Sequence, residues 1–145
     1  MKTYIFDIDG TIANTDHRVH HLHSSPKDWN SWHAKSQEDT PYWEIVDLID
    51  MAMEKDIKIV LCTGRDEKCR PETEKWFAEH AIHYDILMMR PRGDRRDDTV
   101  VKYEMLEQLR DMGYNPVLVF DDRNRVVDMW RAAGLRCLQV QPGEY

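Results

Sequence analysis

The chain has 145 residues and a net charge of −7 at pH 7, and charged side chains occupy 32% of its positions. Its length fits one domain with a sizeable buried core, and its acidity disfavours non-specific binding of nucleic acid, because that affinity comes from lysine and arginine neutralising phosphates. No apolar run approaches the roughly 20 residues that span a bilayer, and no signal-peptide pattern precedes the first apolar run, so we expect a cytoplasmic protein without membrane contact.

The first predicted strand ends in an acidic turn. The apolar run at residues 4–6 leads into residues 7–11, whose sequence is DIDGT. Side chains at i and i+2 of a strand project to the same side, which places Asp7 and Asp9 together. Two close carboxylates stay ionised only beside a cation or hydrogen-bond donors, and a hard divalent metal ion would meet this need. Gly10 allows a positive φ and the close approach of a ligand to the backbone. A solvated Asp-rich turn has the same composition, so this segment alone leaves both interpretations open.

Residues 13–39 follow this turn and lack the periodicity of a strand or a long helix. They carry five of the seven histidines and two tryptophans, and we expect a small cap insert, helical or irregular, over the acidic turn. Trp29 and Trp32 fit two roles, stacking on a base and packing in the core of the insert. His17 and His21, at i and i+4, suggest zinc, but no carboxylate or thiolate obviously completes a site, and solvated histidines are favoured. The three cysteines form no C-x-x-C pair, so neither a disulfide framework nor a structural zinc site is indicated.

The remaining predicted elements alternate between strands and helices. Four further strands are predicted by apolar, β-rich runs at residues 57–62, 85–89, 116–120 and 136–140. Helical spacing of apolar residues predicts helices around residues 45–52, 76–77, 105–109 and 126–133. We expect Thr40 to cap the first of these helices with Pro41 as its first residue, and Gly134 to end the last. This alternation predicts a doubly wound parallel α/β sheet of about five strands, formed by residues 1–145 as one domain.

Polar residues follow several of the predicted strands, and the carboxyl ends of parallel strands meet at one edge of the sheet. The second strand leads into Thr63, Gly64 and Arg65, the fourth leads into Asp121, Asp122 and Arg123, and Lys102 lies early in the helix before the fourth. A plain turn or a helix cap would explain each segment alone. Their joint occurrence indicates a magnesium site facing a phosphate site.

Four arginines follow the third predicted strand, at positions 90, 92, 95 and 96, among aspartates that offset most of their charge. One interpretation is a solvated loop held by salt bridges. The other is a set of contacts with phosphates that flank the reacting one. The sequence leaves both open.

Taken together, the motifs resemble those of haloacid dehalogenase superfamily phosphatases. The resemblance rests on the DIDGT segment, Thr63, Lys102 and the pair Asp121 and Asp122, in that order. More narrowly, the chain is similar to the 3′-phosphatase domains of phage polynucleotide kinase-phosphatases at residues 93–102, 121–131 and 138–145. The likeness covers nearly the whole chain except residues 13–39.

This resemblance implies a role for each matching residue. Asp7 would attack phosphorus and form an aspartyl-phosphate, and Asp9 would protonate the leaving oxygen and then activate water. Mg²⁺ would be bound by the Asp7 carboxylate, the Asp9 backbone carbonyl and the pair Asp121 and Asp122. Within this pair, Asp122 would be the direct ligand and Asp121 the partner of Lys102. Thr63 and Lys102 would bind phosphoryl oxygens. The expected substrate contacts are Gly64, Arg65, Arg92, Arg96 and Arg123.

The expected function is a magnesium-dependent phosphatase that removes 3′-phosphates from polynucleotide ends. A phosphatase of free nucleotides or other small phosphomonoesters is the alternative, and a catalytically idle binding module is disfavoured because every motif is present. Kinase activity is not expected, because none of the six glycines is followed by the lysine of a P-loop. A cysteine phosphatase is rejected, because Lys68 stands where Cys62 would need an arginine. The expected partner is a nucleic-acid 3′ end or a nucleotide, with no obligate protein partner.

Overall fold

The computed structural model of the protein describes residues 1–23 and 25–145. Its strands are β1 (Lys2–Phe6), β2 (Ala13–Asn14), β3 (Thr40–Pro41), β4 (Lys58–Asp66), β5 (Ile86–Arg90), β6 (Asn115–Asp121) and β7 (Arg136–Gln139). Five of them form a parallel sheet in the order β5-β4-β1-β6-β7, and β2 pairs with β3 in a separate antiparallel ladder. The five-stranded parallel sheet confirms the predicted fold class.

Helices cover both faces of this sheet. They are α1 (Trp29–Ala34), α2 (Trp43–Glu54), α3 (Arg70–Glu79), α4 (Asp98–Asp111) and α5 (Asn124–Ala132). Because successive residues of a strand point to opposite faces, Phe6 and Leu61 pack in a core with α2 and α3, whereas Ile5 and Val60 pack in a second core with α4 and α5. The sheet therefore has a hydrophobic layer on each side, and its polar functional groups lie at the strand ends.

The predicted start of the first long helix is wrong. Helix α2 begins at Trp43, and Tyr42 stands at its N-cap without a side-chain capping bond. Thr40 and Pro41 belong to β3, where Pro41 pairs with Ala13, and the Tyr42 N–H donates to the Ile12 carbonyl at 2.7 Å. Pairing with the start of the insert thus outweighs the local preference for capping. The predicted end of the last helix is confirmed, because Gly134 follows α5 with a φ of +89°.

The segment between β2 and β3 contains two short 3₁₀ turns, Val19–Leu22 and Ser36–Glu38, and helix α1. The β2–β3 ladder brings the two ends of this segment together, and its two-residue strands are too short to give a pattern in the sequence. The buried side chains of this segment include Leu22, Trp32 and Arg18. Among the residues that the structure describes, no helix has the length and apolar character to cross a membrane.

Candidate active site

The carboxyl ends of β1 and β6 bring three predicted acids together. Asp7 follows β1, and its backbone N–H donates to the Phe120 carbonyl of β6 at 2.9 Å. Asp7, Asp121 and Asp122 are buried, and each offers a carboxylate oxygen within 4.8 Å of the others. Such a cluster of like charges is stable only with compensating positive charge.

Lys102 of α4 supplies part of that charge. Its Nζ lies 2.8 Å from Asp7 Oδ1 and 3.0 Å from Asp121 Oδ2, and Trp130 Nε1 donates to the same Asp121 oxygen at 3.1 Å. Burial and then Asp121 raise the pKa of Asp7 well above its ordinary value, although Lys102 opposes this shift. Burial lowers the pKa of Lys102, but Asp121 and Asp7 more than offset it, so the net pKa shift is upward and the ammonium stays charged.

Asp122 has an unused ligand atom. Its Oδ2 accepts a hydrogen bond from the Tyr145 hydroxyl at 2.6 Å, whereas its Oδ1 is buried and has no hydrogen-bond partner among the described residues. Burial and then Asp121 raise the pKa of Asp122 to about 6. A buried carboxylate oxygen without a donor is costly, and three clustered carboxylates are ligands that Mg²⁺ accepts. The acids present therefore fit a divalent cation.

Gly10 is required next to this cluster. Its φ is +83°, and a Cβ built on it would overlap Asp122 Oδ2. A side chain there would displace the carboxylate and would also be strained in the left-handed region. The described residues contain one group of three metal-binding side chains (His, Cys, Asp or Glu) that lie close enough together to hold a metal ion. The group consists of Asp7, Asp121 and Asp122.

The Asp9 carboxylate is directed away from this group and toward two arginines. Arg18 Nη2 and Arg65 Nη2 each lie 2.6 Å from Asp9 Oδ1, and Arg65 Nε donates to Asp9 Oδ2 at 3.1 Å. Burial alone would raise the pKa of Asp9, but Arg65 and Arg18 outweigh it and hold that pKa far below its ordinary value. Asp9 is therefore ionised.

Arg18 also binds the insert to the site. It is fully buried, and its Nε and Nη2 donate to the two carboxylate oxygens of Asp39 at 2.9 and 2.7 Å. Its guanidinium carbon lies 4.0 Å from the centroid of the Trp32 ring, and Nη1 donates to the Trp32 carbonyl at 2.8 Å. His17 Nε2 lies 2.6 Å from Asp39 Oδ1, within hydrogen-bond distance of the same carboxylate.

Thr63 and Arg65 are tied to protein groups. The Thr63 hydroxyl accepts the Arg65 backbone N–H at 3.1 Å, and Arg65 Nη1 donates to the Thr73 hydroxyl at 3.1 Å. Thr63 is not among the residues that line the cleft, so its contact with a phosphoryl oxygen stays a prediction. Gly64 lies in the lining, and a Cβ on it would lie 2.6 Å from Asp98 Oδ1.

The site opens into a cleft of about 600 Å³. Of the expected substrate contacts, Gly64, Arg65, Arg96 and Arg123 line it, and Arg92 does not. Arg92 is exposed on the turn before Gly93, so its prediction as part of the site is not supported by its position. The cleft lining also includes Asp7, Asp9, Lys102, Asp121 and Asp122.

Most arginines around the cleft are held by acids. Arg96 pairs with Asp94 at 2.7 Å and with Glu104 at 2.6 Å, which matches the interpretation of a salt-bridged loop for this residue. Asp98 pairs with Arg123 at 2.7 Å and also with Arg90. These pairs fix the loop between β5 and α4 against the strand ends.

Four site residues could not be identified from the sequence: Arg18, Asp39, Asp98 and Tyr145. Each acts through a partner distant in the chain, and no local spacing marks them. The Tyr145 ring lies 6.3 Å from that of Trp32, and the Arg123 guanidinium carbon lies 5.5 Å from the Tyr145 ring centroid. The acids and the lysine, by contrast, follow predicted strands or lie on a predicted helix.

Comparison with known proteins shows the family of this chain. The family model for the phosphatase domain of the polynucleotide kinase PNKP matches residues 1–145. Chains in two structures of the Pnkp1/Rnl/Hen1 complex, one of them described as an RNA repair complex, are 32% and 31% identical with TM-scores of 0.85. The matches cover 99% of this chain and 46% and 43% of those chains.

Two further proteins are less similar to this chain. One matches over a smaller share of its own length, and the other shares only the fold. A protein of Autographa californica nuclear polyhedrosis virus, named as a bifunctional polynucleotide kinase/RNA ligase, is 27% identical over 135 residues, which cover 90% of this chain and 18% of that protein. A class C acid phosphatase from Bacillus anthracis is 16% identical with a TM-score of 0.68, covering 99% of this chain and 68% of that one. The chain thus spans less than half the length of the three relatives described here that are more than 25% identical to it.

Replacing Arg18 tests how strongly the insert depends on its buried ion pairs. Arg18→Met should lower the free energy of unfolding by about 3–5 kcal/mol, because it leaves the buried Asp39 carboxylate without its main partner. Urea denaturation measures this. The control is Arg125→Met, whose exposed pair with Asp97 should contribute less than about 1 kcal/mol. The double variant Arg18→Met, Asp39→Asn should recover part of the loss. Equal losses of stability in Arg18→Met and Arg125→Met would contradict the conclusion that the insert depends on the buried ion pairs of Arg18.

Proposed function

Because this chain belongs to the family of the polynucleotide kinase PNKP phosphatase domain, and is a phosphatase of the haloacid dehalogenase type, we propose that it removes 3′-phosphates from polynucleotide ends. The observation that carries this proposal is the position of Asp7, buried between Lys102 and two further acids at a cleft lined by arginines. The relatives named for polynucleotide kinase, RNA ligase and RNA repair support a polynucleotide substrate.

Asp7 is the proposed nucleophile. One of its carboxylate oxygens attacks phosphorus, a bond forms between that oxygen and phosphorus, and the bond from phosphorus to the 3′ oxygen breaks. Lys102, 2.8 Å from Asp7, orients the carboxylate and offsets the negative charge that collects on the phosphoryl oxygens. Mg²⁺, bound by Asp7, Asp122 and the Asp9 backbone carbonyl with Asp121 adjoining, would add positive charge at these oxygens.

Asp9 is the proposed acid and base. The two guanidiniums favour its ionised form, which is the form that takes a proton from water when water cleaves the aspartyl-phosphate. The first step needs the opposite form, with a proton to give to the leaving 3′ oxygen. A phosphate that enters the cleft adds negative charge near Asp9 and so raises its pKa toward that form.

Residues 1–145 match a phosphatase domain, and kinase activity is not expected of them. Two of its relatives are parts of Pnkp1/Rnl/Hen1 assemblies, so the expectation of no obligate protein partner stays a prediction.

Substrate preference tests the proposal. With Mg²⁺ and matched concentrations, kcat/KM for a 3′-phosphorylated oligonucleotide should exceed that for a nucleoside 3′-monophosphate by about tenfold or more, because flanking nucleotides add contacts. The same oligonucleotide with a 5′-phosphate tests the end preference, and Asp7→Asn serves as the blank, without turnover. A tenfold preference for mononucleotides would overturn the proposal in favour of a nucleotidase.

Metal binding can be measured without turnover. Mg²⁺ should raise the melting temperature of the wild type, by about 2–4 °C for each kcal/mol of binding free energy, because it binds the folded acid cluster. The rise should be larger at about pH 7.5 than at about pH 5. The reason is that the pKa of Asp122 is raised to about 6 in the folded protein. The metal-free protein therefore loses stability as the pH rises through that value, because the buried carboxyl becomes charged. Bound Mg²⁺ offsets this loss.

The matched controls for this measurement are two single substitutions. Asp122→Asn should reduce the Mg²⁺-dependent rise strongly, whereas Asp47→Asn, which changes an exposed acid on α2, should leave it intact. Equal rises in the wild type and Asp122→Asn would show that Mg²⁺ binds elsewhere.

A further inference from the structure

The two tryptophans of α1 have different surroundings. Trp32 is 2% exposed and packs against Arg18 and near Tyr145, so it belongs to the core of the insert. Trp29, one helical turn earlier, is 41% exposed and lines the same cleft as the catalytic acids. The sequence left base stacking and core packing open for both, and the structure assigns core packing to Trp32 alone.

The indole of Trp29 is held in place without being covered. Its ring lies 6.3 Å from that of His33 with an interplanar angle of 26°, and Lys27 Nζ lies 5.6 Å from its centroid. The start of α1 is fixed by Asp28, whose carboxylate accepts the Ser31 N–H at 3.1 Å. A large apolar ring that stays accessible at the border of a polar cleft is suited to stack on a planar ligand group.

Arg95 differs from the other arginines of the cleft. It is exposed, it lines the cleft, and within the described parts of the chain it forms no ion pair. Arg96 and Arg123 are by contrast neutralised by acids. The guanidinium of Arg95 is therefore available for an anion that enters the cleft.

We propose that Trp29 and Arg95 form a subsite for the strand that carries the reacting 3′-phosphate. The indole stacks on a base near the 3′ end, and the guanidinium contacts a phosphodiester of the same strand. Stacking tolerates any base, because every base has a π face, and the arginine contact with phosphate is independent of sequence. The subsite rests on the proposed function and adds to it a preference for a single strand of any sequence over a small phosphomonoester.

The chain offers matched controls for both residues. Trp43 on α2 is 54% exposed and lies outside the cleft, and Arg92 is exposed on the same loop as Arg95 without lining the cleft. Trp29→Ala should lower kcat/KM for a 3′-phosphorylated single-stranded oligonucleotide by about tenfold and leave that for glycerol 2-phosphate, which has no ring to stack, unchanged. Trp29→Phe should retain most of the activity, and Trp43→Ala should match the wild type.

Salt dependence tests Arg95. Arg95→Gln should reduce the slope of log kcat/KM against log salt for the oligonucleotide by about 0.7, the value for one lost phosphate contact on a single strand, and Arg92→Gln should leave the slope unchanged. A binding readout uses the Asp7→Asn background, in which the oligonucleotide should quench tryptophan fluorescence. Trp29→Phe should remove most of this quenching, and Trp43→Phe should not.

The outcomes separate this subsite from the proposed function. If the wild type hydrolyses glycerol 2-phosphate but not the 3′-phosphorylated oligonucleotide, the proposed function fails and the subsite with it. If the wild type prefers the oligonucleotide and Trp29→Ala equals the wild type, the subsite alone fails. Equal losses on both substrates in Trp29→Ala and Trp29→Phe would also overturn the subsite, because a ring that merely supports the insert would affect both.

Discussion

The burial of like charges at one edge of the sheet is the constraint on which the site depends. Asp7, Asp121 and Asp122 place three carboxylates against the single ammonium of Lys102, which leaves an excess of two negative charges when all are ionised. Burial strengthens their repulsion and raises the pKa of Asp7 and Asp122. A divalent cation would restore neutrality, and a phosphate could then enter without adding to an uncompensated charge.

A second charge system next to the first one is already balanced. Arg18 and Arg65 face Asp9 and Asp39, and all four side chains are largely buried. The Asp9 side chain is part of this second system, whereas its backbone lies at the same strand end as Asp7. Arg65 of β4 and then Arg18 of the insert lower the pKa of Asp9, so the segment that forms one wall of the cleft also contributes to the protonation of the proposed acid and base.

The sequence predicts the sheet and the acids well for a physical reason. Apolar runs identify the strands, and parallel strands end at one edge. Asp7 follows β1, Asp121 is the last residue of β6, and Asp122 follows it. Lys102 could be placed because it lies on a predicted helix. Arg18 and Asp39 could not be placed, because these two residues are 21 positions apart in the sequence and meet only when β2 pairs with β3. The same closure explains why Pro41 lies in a strand and not at a helix start.

A phosphoryl group on Asp7 during turnover would be the most direct evidence for this arrangement. Wild-type protein can be quenched chemically while it hydrolyses a 3′-phosphorylated oligonucleotide with Mg²⁺, reduced with borohydride and mapped by peptide mass spectrometry. We expect an aspartyl-phosphate at position 7, recovered as homoserine, because the attacking carboxylate becomes an acyl phosphate that borohydride reduces. Modification at Asp9 instead, or turnover with no modified carboxylate at any quench time, would contradict nucleophilic attack by Asp7.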